Sequence, residues 1–223
     1  MTGYPVTAKA LAEFLGTYFL ICTITLAITD PTPSPWAPLA IAAVLCAMIY
    51  ATGHISRAHF NPAVTLAYAL LKDCKPREIA PYLAAQLTAA VAATFTALAI
   101  HGTPELTPRI FDLVPTLLAE FTFTFALVVV IMNVALRQPN NQHFGIAIAA
   151  TVLAGILAVG DTSAAAFNPA VLVAFALTGF ANTTDLWPHL IAQLTAATTA
   201  VLAFKAMTTS PAPPRAGELS RSD

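Results

Sequence analysis

The sequence predicts an all-α integral membrane protein, in which six transmembrane helices and two re-entrant half-helices form an inverted repeat. The chain has 223 residues, of which 57% are hydrophobic and only 9% are charged, against roughly 25% charged in a typical globular domain. Its apolar residues are grouped into long runs, and polar landmarks inside those runs recur at one constant offset. These observations exclude an ordinary water-soluble fold.

Six apolar runs are predicted to span the membrane, because each supplies about the 20 residues that roughly 30 Å of hydrocarbon requires. They cover approximately 9–29, 37–56, 79–100, 115–136, 144–160 and 187–206. Two further runs, 62–71 and 169–179, are shorter. Ten or so residues at 1.5 Å each reach only about half-way through the bilayer. We therefore expect two half-helices that end inside the membrane.

Three pairs of polar residues indicate an internal duplication. The pairs are Asn61 with Asn168, Glu13 with Glu120, and Gln86 with Gln193. The number of residues that separates the two members is the same in all three pairs and is here called the repeat offset. The first copy runs over about 8–100 and the second over about 115–207. Each copy holds three spans and one half-span, and an odd number of spans inverts the second copy in the membrane. The half-helices are then predicted to enter from opposite faces and to meet near the middle.

The charge distribution predicts the orientation of the chain. If there are six spans, only Arg109 among the lysines and arginines lies in a loop on one side, and all the others lie on the opposite side. The positive-inside rule then predicts that both termini are cytoplasmic. Residues 1–209 are predicted to form one channel domain, followed by a Pro-rich, disordered tail over 210–223. No cleavable signal stands out, and the expected location is a bacterial inner membrane.

The two half-helices begin at repeated triplets, which are Asn61, Pro62, Ala63 and Asn168, Pro169, Ala170. Proline at the first helical position removes one unpaired N–H donor. Asparagine at the cap accepts from its own helix, while its amide NH₂ group remains free to donate. Each helix N-terminus also contributes roughly half a positive charge. The pattern predicts a site that donates hydrogen bonds to a neutral solute and repels cations.

Two carboxylates within predicted spans, Glu13 and Glu120, indicate a role because a charge at membrane depth is costly. One interpretation is proton coupling, as in a transporter. The other is scaffolding, in which each carboxylate accepts from backbone N–H groups of a neighbouring irregular loop. Their symmetric placement favours scaffolding. Gln86 and Gln193 are predicted to brace the same loops.

Two histidines, His54 and His59, lie shortly before the first triplet. Five residues apart in an irregular loop is poor spacing for a metal site, so we expect them to brace the loop and shape the pore. No metal or cofactor is expected. The formal net charge of -1 provides no basic face for nucleic acid. With no nucleophile–base pair and no phosphate loop in the sequence, an enzyme is not expected.

Four segments carry a resemblance to a known family: “GHISRAHFNPAVT” at 53–65, “GDTSAAAFNPA” at 160–170 and the two “AEF” segments that hold Glu13 and Glu120. Together they resemble the aquaporin family of major intrinsic proteins, which includes glycerol facilitators. The resemblance covers roughly residues 8–206. It implies passive flow of small neutral solutes or water through one pore per subunit, in a bilayer-embedded homotetramer. It also implies that backbone carbonyls near 57–60 and 164–167 line the pore, with Arg57 standing where the family usually has glycine.

The filter departs from the family pattern, because Val171 follows the second triplet where the family normally has arginine. Carrying the family's other filter positions across by spacing gives the ring Ile41, Ile156, Ala165 and Val171. A water-selective member would resemble Phe, His, a small residue and Arg. The aliphatic ring predicts a wider filter for glycerol-like polyols, neutral metalloid hydroxides such as arsenous acid, ammonia or hydrogen peroxide, with or without water.

Three other functions remain open from the sequence. The first is a water-selective aquaporin. The second is an ion-coupled secondary transporter, because inverted repeats and broken helices suit that class too. Dependence of uptake on a proton or sodium gradient would indicate a transporter. The third is a non-conducting structural membrane protein, which would show no flux for any neutral solute.

Overall fold

The computed structural model describes residues 3–208, apart from residues 31, 33, 104 and 139. The tail predicted over 210–223 lies outside the described residues. The division of the chain into a channel domain over 1–209 and a disordered tail therefore stays a prediction.

The described residues form a bundle of α-helices. In chain order these are α1 (Val6–Thr29), α2 (Ala37–Ser56), α3 (Pro62–Leu70), α4 (Pro76–His101), α5 (Leu113–Ile131), α6 (Phe144–Ser163), α7 (Pro169–Thr178) and α8 (Trp187–Thr208). A π-helical segment, Met132–Arg137, continues α5, and a 3₁₀ turn, Thr183–Asp185, precedes α8. No β-strand occurs in the part of the chain that the structure describes.

Six of these helices, all except α3 and α7, are long and apolar enough to cross a membrane. They correspond to the six predicted spans. The fifth is longer than the sequence indicated, because α6 continues to Ser163. Its last turn carries Asp161 and Thr162, both exposed, and polar residues of this kind suit a helix that emerges from the hydrocarbon.

The predicted inverted repeat is confirmed by the helix boundaries and by the packing. Helices α5, α6 and α7 begin one repeat offset after α1, α2 and α3 respectively. Within each repeat the most extensive packing joins the first and last helices, α1 with α4 and α5 with α8. Between repeats, α2 packs against α6, and the half-helix α3 contacts the half-helix α7. The fold class predicted from the sequence is therefore confirmed.

An even number of spans places both ends of the described chain on one side of the bundle, here called the N-terminal side. The opposite side, called the far side, carries the described residues of the segments 30–36 and 102–112. Half-helix α3 begins in the middle of the bundle and returns to the N-terminal side. Half-helix α7 begins in the middle and returns to the far side.

The outer surface of the bundle is strongly apolar. Large side chains on the spans remain exposed, including Phe95 at 59%, Leu118 at 62% and Leu157 at 67%. A soluble monomer rarely exposes apolar surface on this scale, whereas a bilayer requires it, with every backbone hydrogen bond kept inside the helices. The protein is an integral membrane protein.

Two glycines allow the loops before α3 and α7 to dock against the spans. A Cβ atom on Gly16 of α1 would lie 2.0 Å from the ring of Phe60, and one on Gly155 of α6 would lie 2.5 Å from the ring of Phe167. No side chain fits at either distance. Each glycine therefore makes room for the phenylalanine that directly precedes an Asn-Pro pair.

Candidate functional site

The tips of the two half-helices meet through their asparagines. The Nδ2 group of Asn61 donates to the carbonyl oxygen of Phe167 at 2.8 Å, and Nδ2 of Asn168 donates to the carbonyl oxygen of Phe60 at 2.9 Å. The Oδ1 atoms cap their own helices by accepting from the backbone N–H groups two residues later, at 2.8 and 2.9 Å. Since an amide NH₂ group has two donors, each asparagine retains one after this exchange.

The chain approaches each tip through a strained segment. Three non-glycine residues before each asparagine have positive φ, and the two sets are related by the repeat offset: Arg57, Ala58, Phe60 and Ala164, Ala165, Phe167. The left-handed conformation costs roughly 1–2 kcal/mol per residue for an L-amino acid. It persists only where surrounding contacts hold it, and those contacts come from the two buried glutamates.

In the first repeat, Glu13 of α1 accepts four hydrogen bonds. Its Oε1 atom accepts from the Ser56 hydroxyl at 2.6 Å and from the backbone N–H of His59 at 2.9 Å. Its Oε2 atom accepts from the backbone N–H of Phe60 at 2.7 Å and from Nε2 of Gln86 at 2.8 Å. The carboxylate thus holds the main chain of the strained loop in place.

The second repeat reproduces this arrangement around Glu120 of α5. Oε1 accepts from the Ser163 hydroxyl at 2.7 Å and from the backbone N–H of Ala166 at 2.9 Å. Oε2 accepts from the backbone N–H of Phe167 and from Nε2 of Gln193, both at 2.8 Å. All four partners are supplied by the protein in each repeat, which supports the scaffolding interpretation of both glutamates over proton coupling.

The two glutamines differ in how fully they are bonded. Gln86 contacts Glu13 and also donates to the Thr65 hydroxyl at 3.0 Å. Residue 172, which is equivalent to Thr65, is leucine. The Oε1 atom of Gln193 consequently has no hydrogen-bond partner among the described residues.

This difference predicts unequal responses to the same substitution. We expect Gln193→Met to lower the free energy of unfolding by about 1–2 kcal/mol less than Gln86→Met does. Both substitutions remove a hydrogen bond to a glutamate, but Gln193→Met also removes a buried oxygen that has no partner among the described residues. Apparent melting temperatures of the two purified variants in the same detergent provide the comparison. If the melting temperature fell as much or more in Gln193→Met as in Gln86→Met, the assigned hydrogen bonds would be contradicted.

Of the two histidines before the first triplet, only His59 contributes to the loop. It is buried, its Nδ1 atom lies 3.1 Å from the Thr65 hydroxyl, and its ring stacks on Tyr68 with centroids 4.1 Å apart. The prediction that His54 braces the loop is wrong. His54 lies on an exposed face of α2, with its ring edge-on to Tyr4, because the helix continues to residue 56 and turns this side chain outward.

Four further residues support the loops and were not singled out from the sequence. The hydroxyls of Ser56 and Ser163 bridge the glutamates to backbone N–H groups of Ala58 and Ala165, both at 3.1 Å. The Tyr82 hydroxyl donates to the carbonyl oxygen of Ser56, and Nε2 of His189 contacts that of Ser163, both at 2.9 Å. Both pairs follow the repeat offset, but only the serines are of one residue type, so aligning the two repeats would have identified the serine pair alone.

A cavity of about 320 Å³ lies beside the two asparagines. Its lining includes all four residues predicted to form the filter: Ile41, Ile156, Ala165 and Val171. Most other lining side chains are also aliphatic or aromatic. The polar members of the lining are His59, Asn61, Asn168 and Arg109.

Arg57 lies at the N-terminal side, where α2 ends. Its Nη1 group donates to the backbone carbonyl of Asp73 at 3.1 Å and forms an ion pair with the Asp73 carboxylate. Its guanidinium carbon lies 5.9 Å from the centre of the Tyr68 ring. Because Asp73 neutralises it, Arg57 adds little net charge at this side of the bundle.

A membrane-spanning bundle tolerates non-helical backbone only where it is buried or lines a cavity. Here both irregular segments lead to hydrogen-bonded half-helix tips beside such a cavity, and that combination defines a pore-forming protein. The family model described as “Major intrinsic protein” matches residues 2–143. The chain belongs to the major intrinsic protein family, the family of channels for small solutes that its sequence resembles.

Individual relatives are consistent with this assignment. Aquaporin NIP1-1 of Oryza sativa subsp. japonica is 34% identical over a region covering 90% of this chain and 74% of the relative. Aquaporin AqpM of Methanothermobacter thermautotrophicus is 33% identical over 74% of this chain and 80% of the relative. The X-ray structure of the aquaglyceroporin from Plasmodium falciparum has the same fold, with a TM-score of 0.72, 21% identity, and coverage of 90% of this chain and 96% of that one.

Proposed function

We propose that this protein is a passive channel for uncharged solutes that are larger or less polar than water. Glycerol-like polyols and neutral metalloid hydroxides such as arsenous acid are the first candidates. Ammonia and hydrogen peroxide also fit a site of this chemistry, with or without water. The observation that carries the proposal is the ring of Ile41, Ile156, Ala165 and Val171, which lines the cavity without a single polar side chain.

The aliphatic ring sets both the width and the chemistry of the filter. None of its side chains has a hydrogen-bond donor or acceptor, so a permeant must bond to backbone carbonyls or keep part of its water. Of the four, Ile41, Ala165 and Val171 are buried, at 8%, 8% and 2% exposure. A passage with these walls favours a solute that has an apolar face and a few hydroxyl groups.

The tips of α3 and α7 favour neutral solutes over cations. Two helix N-termini converge there, each carrying roughly half a positive charge. The remaining amide donors of Asn61 and Asn168, after each bonds the opposite loop, are available to a hydroxyl oxygen. A hydroxyl group accepts such a bond, whereas a cation is repelled by the positive potential at the two tips and cannot accept from the amide donors.

Passive flow also agrees with the state of the buried carboxylates. A coupled transporter requires a site that binds its driving ion. Glu13 and Glu120 each accept four hydrogen bonds from the protein, which leaves little capacity for an exchanging proton. The same hydrogen bonding in the two repeats supports a structural role for both carboxylates.

Flux measurements on vesicles reconstituted with the full chain test the proposal. Stopped-flow light scattering would compare water, glycerol and arsenous acid in parallel, against protein-free vesicles from the same lipid. We expect glycerol and arsenous acid to enter faster than in the protein-free control, with rates that do not depend on an imposed proton or sodium gradient.

The other outcomes separate the alternative functions. Water flux without glycerol or arsenous acid flux would indicate a water-selective aquaporin. Gradient-dependent uptake would indicate a coupled transporter. A rate equal to the control for every solute would indicate a non-conducting membrane protein.

The orientation, assembly and location are part of the same proposal. All described lysines and arginines other than Arg109 lie on the N-terminal side, which supports cytoplasmic termini by the positive-inside rule. We also propose a homotetramer with one pore per subunit, on the strength of family membership. The bacterial inner membrane stays a prediction, since the relatives named above come from a plant, an archaeon and Plasmodium falciparum.

A further inference from the structure

The segment 105–112, between α4 and α5, is bonded to the far-side mouth of the cavity. The backbone N–H of Arg109 donates to the carbonyl oxygen of Phe180 at 2.8 Å. Phe180 follows the end of α7 at Thr178 and lines the same cavity. This bond attaches the segment to the half-helix that carries Val171.

The guanidinium of Arg109 is directed to the end of α6. Its Nη2 group donates to the backbone carbonyl of Asp161, and its Cζ atom lies 5.4 Å from the centre of the Phe111 ring. Asp161 comes five residues after Ile156 on α6, about 7.5 Å along the axis at 1.5 Å per residue. The charge therefore lies within one or two helical turns of the filter ring.

Within the part of the chain that the structure describes, no carboxylate oxygen lies within ion-pairing distance of the Arg109 guanidinium. Among residues 3–208 that the structure describes, the ion pairs are Lys9 with Glu78 and Arg57 with Asp73. The half-buried Arg109 bonds only to a neutral carbonyl, although a guanidinium has five N–H donors. It thus differs from Arg57 at the opposite mouth, whose charge is paired.

We propose that Arg109 is a specificity-determining residue of this channel, because it places a fixed, unpaired positive charge at the mouth of a filter whose own four residues are aliphatic. The charge excludes cations at the entrance. Its free N–H donors attract the oxygen atoms of a neutral solute before that solute meets the ring. Arg109 has this role only if neutral solutes pass the mouth, so the inference rests on the proposed function.

The test compares a permanent cation with a neutral solute in vesicles that contain the full chain. Guanidinium is smaller than glycerol and stays charged at neutral pH, so charge rather than size would exclude it. We expect Arg109→Ala to raise the ratio of guanidinium to glycerol permeability roughly tenfold. Arg109→Lys, which keeps the charge, should stay near the wild-type ratio.

Arg137→Ala is the matched control, because this arginine is exposed on the N-terminal side at the end of the π-helical segment. It removes the same charge and should leave the ratio unchanged. An unchanged ratio in Arg109→Ala with glycerol flux preserved would overturn the role of Arg109. A rise of similar size in Arg137→Ala would overturn it too, because the effect would then reflect overall charge.

Two further measurements cover other failures. If Arg109→Ala loses glycerol flux, Arg109→Gln is measured in its place, since it retains hydrogen-bond donors without charge. The wild-type ratio is also compared between about 0.01 M and about 1 M salt, which shortens the Debye length from roughly 30 Å to roughly 3 Å. A ratio that does not rise with salt would overturn the inference. A wild type that conducts neither glycerol nor arsenous acid would instead contradict the proposed function itself.

Discussion

Replacing Val171 with arginine is expected to lower glycerol flux by about tenfold or more, with water flux retained. Val171 is the third residue of α7, lines the cavity and is 2% exposed. A long cationic side chain at this position extends into the passage beside Ile41 and Ile156, and adds donors that suit water. Passage through a narrow pore depends steeply on its diameter and on the groups that line it.

The control for this substitution is Val171→Ile, which enlarges the side chain slightly and remains aliphatic. It should conduct glycerol at a rate near that of the wild type. Stopped-flow swelling of vesicles with equal protein content measures both solutes. Undiminished glycerol flux in Val171→Arg would show that the filter lies elsewhere, and loss of water flux as well would indicate misfolding or occlusion.

The second large effect is expected from Glu13→Gln. The carboxylate accepts from two backbone N–H groups, a hydroxyl and an amide. A glutamine side chain replaces one acceptor oxygen by a donor NH₂ group, which faces donors. Two hydrogen bonds are then lost at about 1–3 kcal/mol each, a large part of the 5–15 kcal/mol that stabilises a typical protein.

We expect Glu13→Gln to melt at least about 5 °C lower than the wild type in detergent and to lose glycerol flux when reconstituted. Glu105→Gln provides the matched control, because Glu105 is exposed in the segment between α4 and α5. It should melt at the wild-type temperature. If Glu13→Gln melted as the wild type does and conducted normally, the carboxylate would not hold the loop.

Much of the fold could be predicted because it depends on patterns that are local or repeated. Apolar length alone indicated six spans, and the same criterion separated the half-helices from them. The constant repeat offset then predicted the inversion, and with it the meeting of Asn61 and Asn168. The glutamates were identified because a charge in an apolar run is costly, and their hydrogen bonds follow the same offset.

Other features could not be predicted because they depend on how irregular segments lie in space. The position of Arg109 over the cavity results from a backbone bond to Phe180, which neither periodicity nor spacing encodes. His54 was misassigned because its distance in sequence from the triplet is short, although the helix directs it away. The supporting roles of Tyr82 and His189 were missed because equivalent positions hold different residue types.

Each glutamate accepts hydrogen bonds from main-chain N–H groups in its loop, and these groups are the same whatever side chain a residue carries. In the second loop those bonds involve Glu120, Ser163 and backbone N–H groups of residues 165–167, and none of them involves the side chains at 165 or 171. Under the proposed function, a single substitution at Val171 therefore changes which solutes pass, while the hydrogen bonds that shape both loops are kept.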